Sequence, residues 1–105
     1  MSGPGRVVAW LRARTPEAPQ LLAERLERHV RAIPEERLGT TMTEAMGALG
    51  LAALEVSLER GETGDECALD LLAADAFVTY AFEAAAEEGV DVTPVAQELL
   101  SRAAR

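Results

Sequence analysis

The chain has 105 residues, 49% of them hydrophobic and 4% aromatic, which suits one small core and a single domain over residues 1–105. The same arithmetic excludes low-complexity disorder, a TIM barrel and a dinucleotide-binding fold. Ten basic residues, all of them arginine, against eighteen acidic ones give a formal charge of −8, which argues against nucleic acid as a partner.

No run of alternating β-branched residues occurs, and the punctuation by proline and glycine predicts an all-α bundle of four to five helices. The first is expected over residues 4–14, with Val7, Trp10 and Leu11 on one face. Pro16 and Pro19 separate it from a second, ending at Ile33 before Pro34. Leu22, Leu26, His29, Val30 and Ile33 form the apolar stripe of that helix, whereas Glu24, Arg25, Glu27, Arg28 and Arg31 are assigned to water or to a charged partner. A connector with room for one helical turn leads to Gly39.

Thr41 followed by Glu44 reads as a capping box that opens a helix over about 42–60, stopping at Gly61. Thr63 and Glu66 repeat the box ahead of a long helix over about 64–88, closed by Gly89. These two are expected to be the long central antiparallel pair. Thr93 with Pro94 starts a short last helix reaching about 104.

Between residues 64 and 88, apolar side chains cover most of the helix circumference, so other elements or a second copy of the chain must shield them. Gly47 and Gly50 in the preceding helix cost helix propensity and point to close packing, within one chain or between two. A homodimer is therefore expected, with Gly47, Gly50, Leu54, Phe77 and Phe82 at or near its interface.

Charge is unevenly divided: seven arginines and five acids in residues 1–39, then three arginines and thirteen acids in 40–105. The arginine-bearing N-terminal helices are expected either to reach across to the acidic half or to form a separately solvated face. Cys67 is the only cysteine, so neither an intramolecular disulfide nor a cysteine-based zinc site can form in one chain. A reducing compartment is the default, and no stretch resembles a secretory h-region or a membrane span; a soluble, cytoplasmic protein without a membrane partner is expected.

Chemistry-bearing residues are few. Asp75, Thr79, Glu83 and Glu87 recur four apart on the long helix and read as a solvated face, a ligand-facing stripe or, more weakly, a carboxylate metal site. No Glu-x-x-His motif accompanies them, and neither a metal nor a cofactor is assigned. His29 reads as a satisfied core histidine, or as a functional one if Asp75 or Glu83 orients it. Ser2, Ser57 and Ser101 lie in no nucleophile elbow, and Asp65 and Glu66 oppose thiolate formation at Cys67.

The stretch Leu71-Leu72-Ala73-Ala74-Asp75-Ala76-Phe77-Val78-Thr79-Tyr80-Ala81-Phe82-Glu83 resembles an alanine-rich helix of trans-prenyl diphosphate synthases. It covers residues 71–83 only. The two aspartate-rich motifs that hold magnesium and diphosphate in that family are absent, so the resemblance implies a buried Ala/Leu helix with one polar position and no activity.

The expected function is a small interaction or assembly module, homodimeric or joined to another protein partner, without a catalytic centre of its own. The alternative is a helical pocket for a small apolar or cationic ligand, lined by Trp10, Phe77, Tyr80 and Phe82 and anchored by Asp75 or Glu83, with Thr79 and His29 as further ligand-facing candidates.

Overall fold

A computed structural model describes residues 3–60 and 64–103. Among them the chain forms five α-helices and one 3-10 turn, with no strand: α1 (Gly3–Arg12), α2 (Gln20–Ala32), the 3-10 turn (Glu35–Leu38), α3 (Met42–Arg60), α4 (Asp65–Glu88) and α5 (Thr93–Ala103). The all-α bundle expected from the sequence is the fold. The expected stop at Gly61, the capping role of Thr63 and the last expected residue of α5, Ala104, lie outside the described residues.

Local chemistry sets most boundaries. α1 ends earlier than periodicity suggests: Ala13 N–H is shared between the Ala9 and Trp10 carbonyls and Arg14 N–H goes to Leu11, a tightened last turn ahead of Pro16. Ile33 is extended, at ψ 136°, because the following Pro34 excludes helical backbone. The capping box forms as expected: Glu44 N–H donates to Thr41 Oγ1 at 3.0 Å, and Thr41 N–H to Glu44 Oε1 at 3.2 Å. Gly89 closes α4 in the left-handed region, at φ 66° and ψ 33°, while Val90 N–H reaches back to the Ala85 carbonyl.

α3 and α4 pack most closely and run antiparallel. At one end Cys67 Sγ lies 3.9 Å from the Ser57 carbonyl; at the other, Glu88 caps the start of α3. Its carboxylate accepts from Met42 N–H at 2.8 Å, Thr43 N–H at 2.9 Å and Thr43 Oγ1 at 2.6 Å. A carboxylate there both satisfies orphan amides and complements the positive end of the helix dipole.

α3 is the enclosed helix, covered by α4, α5, α2 and the 3-10 turn. Met46, Leu49 and Ala53 of α3, Ala73, Phe77 and Ala81 of α4, Leu26 and Val30 of α2, and Val7 of α1 make the core. Of the two glycines in α3, Gly47 is required by this packing, since a Cβ there would stand 2.6 Å from Val95 Cγ1 of α5, whereas one on Gly50 would meet Val78 Cγ2 of α4 at an ordinary 3.4 Å.

The protomer covers only part of α4, the helix expected to carry more apolar surface than its own short chain can shield. Asp70, Ala73, Ala74, Phe77, Ala81 and Ala84 face inward, but Leu71, Leu72 and Phe82 remain 47%, 54% and 51% exposed. Among the described residues no helix closes over Leu71 and Leu72, and α5 stands off from Phe82, so the buried Ala/Leu helix that the resemblance implies is found over only part of the circumference.

Candidate functional site

Two helices each supply a pair of polar side chains four residues apart, and the pairs meet. α2 contributes Arg25 and His29, and α4 contributes Glu66 and Asp70. An i, i+4 spacing puts both members of a pair on one face one turn apart, so crossing helices can match them side chain for side chain. Arg25 Nη1 donates to Asp70 Oδ1 at 2.9 Å, Arg25 Nη2 donates to Glu66, and His29 Nε2 lies 3.0 Å from Asp70 Oδ1. An ionised carboxylate only accepts, so Nε2 carries the proton.

The cluster is dry: Asp70 is 1% exposed, Arg25 5% and His29 9%. His29 also stands edge-on to Phe77, with ring centroids 6.3 Å apart. Burial pushes the Asp70 carboxyl up, but the hydrogen bonds from Arg25 and His29 outweigh it and hold it below the usual aspartate range. The Glu66 hydrogen bond foremost, with Asp70 behind it, raises the Arg25 guanidinium against its own burial penalty.

A second polar contact latches α1 to the far end of α4. Trp10 Nε1–H donates to Glu87 Oε1 at 3.1 Å, Arg14 Nη1 donates to Glu87 Oε2 at 2.6 Å, and the Arg14 guanidinium lies 3.7 Å from the Trp10 ring centroid. Arg14 and Arg25 thus reach across to the acidic half, whereas Arg12 and Arg31 stay with Glu27 of their own half.

The residues singled out from the sequence are dispersed by the fold. Asp75, Thr79 and Glu83 face solvent, and Thr79 Oγ1 donates to the Asp75 carbonyl one turn back. His29 is oriented by Asp70, not by Asp75 or Glu83; five residues along a helix rotate a side chain about 140°, which carries Asp75 off the α2-facing side. Arg25, placed on the wet side of its helix by periodicity, is buried through this same pairing. Asp70 was missed because a lone aspartate within an apolar helix gives no signal without its partner; the two i, i+4 pairs were the signal available.

The expected aromatic pocket does not assemble. Tyr80 is half-buried and meets the Trp10 ring edge-on at 5.7 Å, Phe77 lies in the core, and Phe82 points toward α5. Gly47, Gly50 and Phe77 are consumed by packing within the protomer, and Leu54 is half-buried against the same core, which leaves Phe82 as the expected interface residue that is still open.

An open groove of about 280 Å³ instead lies between α4 and α5, lined wholly by apolar side chains that include Val78, Phe82, Val95, Leu99 and Leu100. Another hollow, of about 310 Å³, is shared by Leu11, Ala18, Leu26 and Tyr80 with the charged Arg12 and Glu27 at its edge. Among the described residues no three His, Cys, Asp or Glu side chains are arranged to hold a metal, and no helix is long and apolar enough to cross a membrane. No family model matches the sequence, and neither the curated proteins nor the solved structures provide a match.

Proposed function

We propose that the chain is a small helical interaction or assembly module without a catalytic centre of its own, and that it works through the outer face of α4 and α5. The observation that carries this reading is the placement of exposed apolar side chains. Of the seven large hydrophobic residues exposed among the described ones, five (Leu71, Leu72, Phe82, Val90 and Leu100) fall on α4, α5 or the turn between them. Scattered single hydrophobics need no explanation, but Phe82 and Leu100 both line the apolar groove between α4 and α5, and exposed apolar surface gathered there supports a face that meets a partner. The polar cluster supports the same reading from the other side, since Arg25, His29 and Asp70 spend their hydrogen bonds on one another beneath the surface.

Self-association is the second reading. Leu72 favours it, because its exposed side chain lies across Asp75 from the groove and would be left uncovered by any occupant of the groove. Light scattering on a concentration series reads this directly: a monomer throughout removes the homodimer. Titration with the apolar dye ANS tests the module itself. Binding to the native protein that is lost in a Phe82→Ser, Leu100→Ser variant supports the α4/α5 face, whereas absence of both dye binding and self-association refutes the reading.

A further inference from the structure

We infer that the groove between α4 and α5 receives a basic amphipathic helix of another protein, its apolar side against Val78, Phe82 and Leu100 and its cationic edge against Asp75. The inference rests on the reading of this face as a docking surface and names its occupant.

Shape is the first argument. The wall formed by α5, Thr93–Ala103, is about 16 Å long at 1.5 Å per residue, enough for three turns of a docked helix presenting anchors at i, i+3 or i+4, and i+7. At about 280 Å³ the groove sits at the bottom of the range of enclosed small-molecule sites, and it is an open trough that suits a row of side chains.

Charge is the second. No basic residue occurs in the sequence between Arg60 and Arg102, so both walls come from a stretch that is wholly acidic or neutral until its last turn. Five of its ten carboxylates are answered within the chain: Asp70 and Glu66 by Arg25, Glu87 by Arg14, Glu88 by the start of α3, and Glu98 by Arg102. Asp75 is exposed and has no cationic partner among the described residues. Asp75 moreover sits inside the apolar stripe, since Leu71, Asp75, Val78 and Phe82 recur at helical spacing. An apolar trough flanked by an uncompensated carboxylate, in a stretch without basic residues, is complementary to a helix with leucine-like anchors and flanking arginine or lysine.

The same charges disfavour a second copy in this groove. A two-fold pairing of the face sets acid against acid in a chain of formal charge −8. For a head-to-tail contact, Arg14 and Arg25 are already in ion pairs and most of the apolar stripe of α2 is spent on the core, which leaves only the exposed Leu21 and Arg28 of that helix to meet the groove.

The test titrates the full ¹⁵N-labelled chain with a designed 18-residue helix carrying leucines at i, i+4 and i+7 and arginines on its flanks. A matched peptide with glutamate in place of arginine serves as comparison. The expected result is saturable binding of the arginine peptide with amide shifts confined to α4 and α5, and binding of the glutamate peptide at least about tenfold weaker. Phe82→Ser is expected to weaken the arginine peptide by about tenfold or more, Asp75→Asn by about two- to fivefold with a flatter salt dependence, and Leu21→Ser on α2 not at all. If Phe82→Ser lowers helicity, Leu100→Ser on the last helix takes its place. Equal binding of the two peptides, or shifts elsewhere, overturns the inference. No peptide binding alongside dye binding or self-association sensitive to Phe82→Ser overturns it while the docking surface stands; loss of all three overturns both.

Discussion

Replacing Asp70 by alanine tests whether the α2–α4 contact is organised around one buried carboxylate. The substitution removes the acceptor of two hydrogen bonds, at 2.9 Å from Arg25 and 3.0 Å from His29, and leaves both donors 5% and 9% exposed. Breaking a buried ion pair by deleting one partner costs about 3–5 kcal/mol. The lower end applies here, because Glu66 still holds Arg25 and is itself well exposed, which keeps one end of the guanidinium screened. A loss of about 3 kcal/mol is a large part of the roughly 5–15 kcal/mol expected for a domain of this size. It corresponds to a fall in Tm of about 12–24 °C.

Urea unfolding followed by far-ultraviolet circular dichroism measures the loss, provided the m-value is unchanged. The triple variant Arg25→Met, His29→Leu, Asp70→Leu is the informative companion. If the cluster mainly selects how α2 seats on α4, the triple variant should unfold near the parent or up to about 4 kcal/mol above it. An Asp70→Ala variant within about 0.5 kcal/mol of the parent would refute the reasoning, because that is how a solvated surface carboxylate behaves.

The helical glycines are expected to respond in opposite directions. Gly47→Ala drives a Cβ to 2.6 Å from the stiff, branched Val95 and should destabilise by about 1–3 kcal/mol, with Val95→Ala restoring much of it. Gly50→Ala meets ordinary contact distances, 3.4 Å to Val78 and 3.5 Å to Phe77, so the helix-propensity gain of up to about 1 kcal/mol should survive; equal shifts in the two single variants count against the packing described. Acid sensitivity follows from Asp70 and Glu88. In Glu88, burial raises the carboxyl, but the Thr43 hydroxyl and the Met42 and Thr43 amides outweigh it, so both groups titrate below their ordinary ranges in the folded state. Their contribution is fully present above the unfolded values of about 4 and is lost as pH falls through the lower folded ones. Thermal melts between pH 7 and pH 2 should show the parent losing stability below about pH 4 and an Asp70→Asn, Glu88→Gln variant losing less; equal acid slopes would contradict the assignment.

How much of this was legible beforehand depends on whether a feature is local. Thr41 with Glu44, Pro34 and Gly89 act within a few residues of backbone, so helix starts and stops could be read from their chemistry alone, and with them the all-α class. Ranking the polar residues was not possible in the same way. Asp70 and Asp75 are the same residue type on the same apolar helix, and the 140° between them becomes meaningful only once α2 lies on one side and solvent on the other. Gly47 and Gly50 announced a close approach but not its partner, which proved to be α5 and α4 of the same protomer.

The sequence by itself determined which segments are helical, the stops at Pro34 and Gly89, that the chain's basic residues are confined to arginine, and that α4 carries more apolar surface than its polar residues can offset. Only the tertiary structure decided which of that surface is covered. Burial is a property of two elements and their crossing: α2 and α3 close over one side of α4, α5 stands off from another, and the groove left between α4 and α5 exists in neither helix alone.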